Sequence, residues 1–367
     1  MSASAYFQKR LLPAQADAEE FGWLQIAGRL QAPALLGRTR LDNDHDVLVY
    51  EDVFASGRCR LLLGDLIALA DHGRISTAEV AHLIDAVCDD LIAQTSATGR
   101  PAPLSACVPA LYADRIRPGG RVDAWYNDEL SLTDPRTGEH VPLRELTGYT
   151  VTVNDGPPLL LDLPAAIGSA RTALHPDSQW ISAVTQGDPT EPNIATSAVG
   201  ACWLDFEYAG RNTLAGEIAN FLWYLLALGG WLVPTYQPDV YARTMHHHLP
   251  AAATPTAVQA TLSVRHRRLD LHHRWPTSPG RRTALARLLA RITTDLGDAA
   301  GLPAHQQLHA ITPFLTLRIL GVIPPHLLTP ADLLLLTAKL TQAQHLQNPT
   351  PFTHTDPLPA LAPVETP

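Results

Sequence analysis

The sequence predicts an α+β protein in which helices and short strands occupy different stretches of the chain. Apolar residues recur at helical spacing after Ser76 and again in the segments 214–228, 281–296 and 330–345. Between residues 101 and 163, proline, glycine and short alternating stretches replace this period, which is typical of strands joined by turns. With 367 residues, the chain has the length of one two-lobed enzyme or of two modest domains.

The first 55 residues contain three predicted elements. Residues 5–12 are predicted to be extended, and a helix is predicted over residues 16–30. Glu19 and Glu20 fall in the first turns of this helix, where carboxylates interact favourably with the helix dipole. Residues 47–54 are rich in β-branched and aromatic side chains and are predicted to form a strand.

A capping box predicts where the next helix begins. In the sequence Ser76-Thr77-Ala78-Glu79, the hydroxyl and the later carboxylate can satisfy free backbone N–H groups of the first turn. The helix is predicted to continue to about residue 93, and its apolar face consists of Val80, Leu83, Ile84, Val87, Leu91 and Ile92.

Residues 101–163 are predicted to form a small β-rich insertion. Within it, the apolar stretches 149–153 and 159–161 flank Asn154-Asp155-Gly156, a sequence typical of a hairpin turn. The rest of the chain is predicted to be mainly helical. Its last 21 residues, 347–367, contain six prolines and few apolar side chains, and they are predicted to be a disordered tail.

Charge and composition exclude several classes of function. The 27 Lys and Arg against 36 Asp and Glu give a net charge of −9, and the chain has no long basic face. Binding to nucleic acid through phosphate neutralisation is therefore not expected, and a cationic or neutral small substrate fits better. A hydrophobic content of 46% and a charged content of 17% are typical of a globular protein and exclude disorder as the main state.

The cysteines and the apolar runs bear on localisation. Four cysteines are scattered without CxxC spacing, which argues against a disulfide framework or a zinc ribbon: Cys59, Cys88, Cys107 and Cys202. The N-terminus lacks the profile of a signal peptide. The most apolar run, residues 218–233, is short and interrupted by Asn220 and two glycines, so it is predicted to be a buried core helix rather than a membrane span. We therefore expect a cytoplasmic protein with reduced thiols.

The segment 184–223 carries the pattern with the clearest chemistry. Gly187-Asp188 is followed by Asn193 and, twelve residues further on, by Asp205 within the sequence Leu204-Asp205-Phe206-Glu207. An aspartate can orient an attacking hydroxyl and accept its proton, and asparagine and aspartate oxygens are hard ligands suited to Mg²⁺. This set of residues is typical of phosphoryl transfer.

The pattern GDxxxxN followed by DFE resembles the aminoglycoside phosphotransferase and choline kinase family, small-molecule relatives of the protein kinases. The sequence DFEYAG at 205–210 is especially similar to the choline and ethanolamine kinase version. The acidic, apolar segment 217–223 resembles the helix that follows this motif in the family. A weaker resemblance extends over residues 9–54, and the insertion is unmatched.

The resemblance implies a protein-kinase-like, two-lobed fold with a reduced N-terminal lobe and a mainly helical C-terminal lobe. Residues 1–55 would form the reduced N-lobe and hinge, because the strands and the phosphate-covering loop that normally precede the conserved lysine have no counterpart here. Residues 56–346 would form the C-lobe, with the insertion at about 101–163, and residues 347–367 the tail.

The resemblance also implies roles for residues of the motif. Asp188 would be the catalytic base, Asn193 and Asp205 would bind Mg²⁺, and Glu207 would lie close to the metal or the substrate. Gln186 stands where the family usually has histidine, a position that mainly bonds neighbouring backbone, and an amide can do similar work.

Lys9 is the candidate for the lysine that contacts the nucleotide phosphates. Only Lys9 and Lys339 are lysines among the 27 basic residues. The resemblance implies that Lys9 contacts the α- and β-phosphates of ATP and pairs with Glu19 or Glu20 on the following helix. The segment 50–54, with Glu51 and Val53, would be the hinge that offers backbone groups to adenine.

The expected function is therefore ATP- and Mg²⁺-dependent phosphorylation of a hydroxyl on a small molecule, such as an amino alcohol, an aminoglycoside or another antibiotic-like sugar. A non-catalytic, kinase-like binding or regulatory protein is the alternative, since no glycine-rich loop precedes Lys9. A metal-dependent hydrolase would need histidines near Asp188 and Asp205, and the sequence there has none. The oligomeric state stays open.

Three further groups of residues have competing interpretations. His246-His247-His248 suggests a metal site, but adjacent side chains on a helix diverge, so no site is expected. The basic stretch 265–275 is interpreted as a solvated helix face, or as arginines that bind an anionic group of the substrate. Three aromatic residues are interpreted as core, with a cage for a quaternary amine as the alternative: Trp223, Tyr224 and Trp231.

Overall fold

The computed structural model describes residues 6–108, 111–127, 129–245, 255–275, 278–304 and 306–346. It confirms a mixed α+β protein with several small sheets. The strands are β1 Tyr6–Leu11, β2 Leu35–Arg40, β3 Asp46–Glu51, β4 Cys59–Leu62, β5 Arg100–Pro103, β6 Ser131–Thr133, β7 His140–Pro142, β8 Tyr149–Val153, β9 Leu159–Leu161, β10 Gln179–Thr185, β11 Ile194–Ser197, β12 Gly200–Trp203, β13 Gly210–Thr213, β14 Thr256–Ser263 and β15 Arg268–Arg274.

The α-helices are distributed along the whole described part of the chain. They are α1 Pro13–Ile26, α2 Leu63–Asp71, α3 Thr77–Thr98, α4 Ala113–Ile116, α5 Arg121–Trp125, α6 Leu163–Ala173, α7 Leu214–Trp223, α8 Val233–Tyr236, α9 Pro238–Thr244, α10 Pro279–Ile292, α11 Asp295–Ala299, α12 Gln307–Ala310, α13 Thr312–Gly321 and α14 Pro330–Gln344. The predicted tail, 347–367, lies outside the described residues.

The N-terminal sheet carries Lys9 beside helix α1. Its order is β1-β3-β2 with antiparallel pairs, and Lys9 lies opposite Leu48 in the register. The predicted strands at residues 5–12 and 47–54 are both found, whereas β2 has no counterpart in the prediction. Helix α1 begins three residues before its predicted start, at Pro13, because proline suits the first helical position, and it ends at Ile26.

Two small sheets hold the motif residues. Strands β12, β11 and β4 form one, and β13, β10 and β5 form the other. The antiparallel pairing of β11 with β12 places Ile194 opposite Trp203. The residues just before β11 and just after β12 therefore emerge at the same end of the hairpin, which brings Asn193 next to Asp205.

The predicted insertion is β-rich. Strands β6 and β7 pair as a two-stranded sheet within it, whereas β5, β8 and β9 belong to sheets that later strands complete. Strands β8 and β9 form the predicted hairpin, and Asn154 and Asp155 have the positive φ angles, 48° and 60°, that its turn requires. Strand β8 also pairs in parallel with β15, which gives a four-stranded sheet of order β14-β15-β8-β9. Long-range strand pairing of this kind leaves no local sequence signal.

The prediction of a helix at 265–275 is wrong. This segment contains strand β15, which pairs with β14. Burial alternates along it, with Leu269, Leu271 and His273 directed inward and their neighbours outward. Apolar and polar side chains alternate along this segment with a period of two, which is typical of a strand, and this alternation predicts its structure better than its charge does.

A long buried helix runs through the core of the C-terminal part. Helix α7 continues through a π-helical segment, Tyr224–Leu232, into α8. Among the described residues, the one stretch with the length and apolar composition of a membrane span is Leu214–Tyr236, and nearly all of it is buried inside the protein. The prediction of a buried core helix is confirmed, and so is the core interpretation of its aromatic residues, since Trp223, Tyr224 and Trp231 are all buried.

The remaining helices differ from prediction mainly at their ends. Ser76 caps α3 by accepting a hydrogen bond from the N–H of Ala78, and the helix runs five residues beyond its predicted end. The helix predicted at 281–296 is two helices, α10 and α11, separated by Thr293 and Thr294. The helix predicted at 330–345 is α14, and Thr329 caps it by accepting from the N–H of Asp332.

Candidate active site

Lys9 joins the N-terminal sheet to the motif region. Its ammonium lies 2.7 Å from Oε2 of Glu19 on α1 and 2.6 Å from Oδ1 of Asp205, which follows β12. Oε2 of Glu19 also accepts a hydrogen bond of 3.1 Å from the backbone N–H of Phe206, and its Oε1 accepts one of 3.3 Å from the hydroxyl of Tyr50. Strand β1, helix α1 and the distant loop after β12 thus converge on one ammonium group.

The electrostatics of this cluster follow from burial. Glu19 is 1% exposed, and burial is the largest influence that raises its pKa to about 7, while Lys9 acts in the opposite direction. For Lys9, burial lowers the pKa, but Asp205 and Glu19 outweigh it and raise the pKa overall. The ammonium therefore stays charged at neutral pH.

The structure separates the two candidate partners of Lys9. Glu20 is bonded to Arg38 of β2, at 2.9 Å, and not to Lys9. Glu20 accordingly connects α1 to the sheet, whereas Glu19 contacts Lys9 and the loop after β12.

The predicted hinge residues lie at and after the end of β3. Glu51 ends this strand and is bonded to Arg58, and Val53 is buried with its carbonyl accepting from the N–H of Cys59 at 2.8 Å. A role of Glu51 and Val53 in binding adenine stays a prediction.

Asp188 is held by side chains from two helices. Its Oδ1 accepts from Nδ2 of Asn220 on α7 at 2.7 Å and from Nη2 of Arg318 on α13 at 3.1 Å. Its Oδ2 has a longer contact of 3.4 Å with Nδ2 of Asn193. With Oδ1 satisfied, Oδ2 is the oxygen better placed to accept a proton from a substrate.

Asn193 and Asp205 are brought together by the β11–β12 hairpin. The carbonyl of Asn193 accepts from the N–H of Leu204 at 2.9 Å, next to Asp205. Gln186 bonds the same loop, donating to the carbonyl of Leu204 at 2.9 Å, and its Oε1 accepts from the N–H of Asp188. An amide thus does the backbone bonding expected at this position.

Asp205 has a backbone conformation that is uncommon for a residue with a side chain. Its φ is 59°, in the left-handed region that aspartate tolerates better than most residues. Side chains held in this way cluster at functional sites, because the surrounding structure has to enforce them. Here two hydrogen bonds hold the backbone around Asp205. Gln186 donates to the carbonyl of Asp205, and the N–H of Phe206, the next residue, donates to Glu19.

The donor set fits a magnesium ion that is shared with phosphates. Among the described residues, no group of three or more His, Cys, Asp and Glu side chains forms a ready metal site. Mg²⁺ commonly uses one or two protein oxygens and completes its coordination with water and phosphate, which Asp205 and Asn193 could match. The Asp205 side chain is 42% exposed, so its carboxylate is accessible to such a ligand.

Glu207 lies at the edge of this cluster. Burial raises its pKa, with a further contribution from the negative charge of Asp205, and its side chain is hydrogen-bonded to Tyr208. The side chain is partly exposed. A role close to the metal or substrate stays a prediction.

Glu217 holds the segment that leads from β10 to Asp188. It is fully buried on α7, where its Oε1 accepts from the hydroxyl of Thr185, and the side chain also accepts from the N–H of Gly187. Burial is the largest influence on its pKa and raises it to about 8. The carboxyl is therefore mostly protonated at neutral pH. Its Oε2 has no hydrogen-bond partner among the described residues, and burying such an oxygen costs less free energy in the neutral form than in the charged form.

This raised pKa predicts that stability decreases from about pH 5 to pH 8. The folded state keeps the proton up to about pH 8, whereas the unfolded state loses it near the ordinary value of 4.5, so the contribution is full below 4.5 and is lost as the pH rises through 8. Glu217→Gln should remove up to ~1.4 kcal/mol per pH unit from the slope of unfolding free energy. Denaturant unfolding at several pH values measures it, with the exposed Glu145→Gln as control. An unchanged slope in Glu217→Gln would contradict the assignment.

Gly22 allows helix α1 to approach the Asp205 loop. A Cβ at this position would overlap the backbone carbonyl of Phe206 and would lie 3.2 Å from Cβ of Ala209. Glycine at this point lets α1 approach closely enough for Glu19 to reach Lys9 and the N–H of Phe206.

Gly22→Ala should therefore separate α1 from the motif. We expect a loss of about 1–3 kcal/mol in unfolding free energy, since a methyl group must be fitted against rigid backbone, together with weaker binding of Mg·ATP. Gly168→Ala is the matched control, because Gly168 lies on α6 with no atom within 4 Å of an added Cβ. Denaturant unfolding and nucleotide titration measure both effects, and parent-like values for Gly22→Ala would refute the role.

Several supporting residues escaped the sequence analysis. The sequence does not assign Arg318, Asn220, Glu217 or Gly22 to the site, although each of the first three is a polar side chain in a mainly apolar helix. Such a residue needs a buried polar partner, and that was the available signal. Glu191, inside the Asp188–Asn193 loop, is likewise held by Arg281 of α10 at 2.6 Å, and both are buried.

The histidine run was the remaining metal candidate from the sequence. His246, His247 and His248 lie outside the described residues.

Lys339, the second lysine, is buried on α14, where it donates to Gln342 and lies 5.3 Å above the ring of Trp275.

Comparison with known proteins gives structural likeness only. No family model matches the sequence, and no curated protein matches it. Solved structures of glucosamine kinases are similar to the chain. The superposition on one crystal form includes 91% of this chain and 71% of the glucosamine kinase chain, with a TM-score of 0.43 and 13% sequence identity. For a glucosamine kinase in complex with glucosamine, ADP and inorganic phosphate, the superposition includes 87% of this chain and 66% of the kinase chain, with a TM-score of 0.42 and 12% sequence identity. At these values the likeness carries no argument about fold or activity, and the function has to be argued from the site.

Proposed function

We propose that the chain transfers a phosphoryl group from Mg·ATP to a hydroxyl of a small molecule. The observation that carries the proposal is the bridge from Lys9 to Glu19 and Asp205, which joins β1, α1 and the loop after β12. Such a lysine–glutamate pair next to a metal-binding aspartate is the arrangement that kinases require to hold ATP. The fold proposed for it is protein-kinase-like, with β1–β3 and α1 as a reduced N-lobe.

Each residue has a defined part in the proposed reaction. Lys9 binds the α- and β-phosphates, and Glu19 orients its ammonium. Asp205 and Asn193 would hold Mg²⁺, which would supply positive charge against the phosphates. Asp188 accepts the proton of the attacking hydroxyl through Oδ2, while Asn220 and Arg318 fix its Oδ1.

Magnesium-dependent release of ADP tests this function. Purified protein is incubated with Mg·ATP and a panel of hydroxyl compounds that includes amino alcohols, amino sugars, aminoglycosides, glycerate and glycerol 3-phosphate. The proposal expects ADP release that depends on one of these compounds and on Mg²⁺, with transfer of one phosphate to the acceptor confirmed by mass spectrometry. ADP release equal in the presence and absence of every acceptor would show ATP hydrolysis instead.

A second candidate is nucleotide binding without turnover. The observation that favours it is the direct contact of 2.6 Å between Lys9 and Asp205, because this ammonium occupies the oxygen that a catalytic metal would use. The two candidates differ in one result: a regulatory protein would bind ATP without Mg²⁺ and give no phosphorylated product.

A further inference from the structure

A cluster of arginines surrounds the proposed catalytic base. Arg318 of α13 donates to Oδ1 of Asp188, and Arg115 of α4 is close enough to Asp188 and Arg318 for both charges to act on it. The two arginines are 5% and 7% exposed. Arg121 of α5, which donates to the carbonyl of Gly321 at 3.1 Å, adds a third positive charge near Arg115.

Positive charge is unusually dense in this part of the protein. Burial, followed by the charges of Arg318 and Arg121, lowers the pKa of Arg115 to about 10. Like charges brought together out of water are costly unless an anion compensates them. Asp188 is the anion bonded to Arg318, and its carboxylate also accepts from Asn220 and lies 3.4 Å from Nδ2 of Asn193.

Arg318 has unused hydrogen-bonding capacity. A guanidinium has five N–H donors arranged for two-point contact with carboxylate or phosphate. Nη2 contacts Asp188, and Nε is buried with no hydrogen-bond partner among the described residues. An unsatisfied buried donor at the base that receives the substrate points to a ligand oxygen that completes it.

The arginines belong to the acceptor side of the site. They come from α4 and α13, which pack against each other, and α13 also packs against α7 with its Asn220. The proposed nucleotide phosphates lie at Lys9 on β1, a different element. Because the arginines flank Asp188, an anion that they hold would lie beside the hydroxyl that Asp188 receives, within reach of the same acceptor molecule.

We infer that the acceptor carries an anionic oxygen group, a carboxylate or a phosphate, which Arg115 and Arg318 bind beside Asp188. This inference rests on the proposed function for the identity of the acceptor, but the anion site itself does not require turnover. It reverses the expectation of a cationic or neutral substrate, which was drawn from the net charge of the chain. The local charge around Asp188, rather than the overall charge of −9, decides the substrate class.

Binding of matched small compounds tests the anion site. The unfolding midpoint of the full chain is measured with glycerol, ethanolamine, glycerate and glycerol 3-phosphate at constant ionic strength. We expect glycerate or glycerol 3-phosphate to raise the midpoint and the other two to leave it unchanged. A higher midpoint with glycerate indicates a carboxylate ligand, and a higher midpoint with glycerol 3-phosphate indicates a phosphate ligand.

Arginine variants show whether the shift comes from this cluster. Arg115→Gln should weaken the apparent affinity for the active acid at least about tenfold, whereas Arg117→Gln, whose side chain is 67% exposed two residues away, should not change it. If Arg115→Gln does not fold, Arg318→Lys keeps the charge and removes the two-point contact, and the same loss is expected.

Three results would overturn the inference: no shift with either acid, equal shifts with glycerol or ethanolamine, or an undiminished shift in folded Arg115→Gln. Loss of ADP binding in Arg115→Gln would place the arginines in the nucleotide site and would also overturn it. Failure of Mg·ATP to bind, with the acid-dependent shift intact, would contradict the proposed function and leave the anion site standing.

Discussion

Asp188→Asn is expected to lower the rate of phosphoryl transfer about 10²–10⁴-fold while the protein stays folded and binds Mg·ATP. The amide keeps an oxygen that can accept from Asn220 and Arg318, but it cannot take the proton of the attacking hydroxyl. The effect should therefore appear in kcat, with little change in the KM for ATP. Steady-state kinetics with the acceptor found in the panel measures it.

The control for this variant is Asp177→Asn, since Asp177 precedes β10 and its side chain is 87% exposed. It should behave like the parent in both kcat and unfolding. A kcat of Asp188→Asn within a few-fold of the parent would show that Asp188 is not the base.

Lys9→Met is expected to abolish the stabilisation of the protein by Mg·ATP and to lower kcat/KM for ATP by about 100-fold or more. The variant removes the ammonium that would contact the phosphates and leaves Glu19, 1% exposed, without its cation. The free energy of unfolding should fall by about 1–3 kcal/mol, moderated because Glu19 can take up a proton. Nucleotide titration and denaturant unfolding measure the two effects.

Two further variants separate charge from position at this site. Arg10→Gln removes the neighbouring, exposed cation of β1 and should leave nucleotide binding unchanged. Lys9→Arg keeps the charge, but its planar guanidinium is a poor substitute for a compact ammonium between two carboxylates, so nucleotide binding should stay impaired. Parent-like binding by Lys9→Met would remove Lys9 from the site.

The sequence predicted best where a local pattern determines the structure. The capping residue Ser76, the turn at Asn154 and Asp155, and the buried helix around Trp223 each depend on residues a few positions apart, and the structure shows all three. The stretch 265–275 was misjudged because its charged residues were weighed more than the alternation of Leu269 and Leu271. Its strand forms by pairing with β8, more than a hundred residues away.

The candidate site was predicted as a set of motif residues, without the residues that hold them. The sequence left Glu19 and Glu20 as equal partners for Lys9, because both lie in the first turns of one helix. Only the packing of α1 against β2, where Arg38 takes Glu20, separates them. Arg318 lies 130 residues from Asp188 in sequence, so no spacing rule connects them.

Calorimetric titration of ATP into the parent protein and into Asp205→Asn, each with and without Mg²⁺, tests the central claim most directly. The proposed function predicts tight binding by the parent only with Mg²⁺, and loss of that magnesium-dependent part in Asp205→Asn, because the amide cannot supply the charge that holds the metal. Equal ATP affinity of both proteins, or affinity that does not change when Mg²⁺ is added, would contradict a magnesium-dependent phosphoryl-transfer site at Lys9, Asn193 and Asp205.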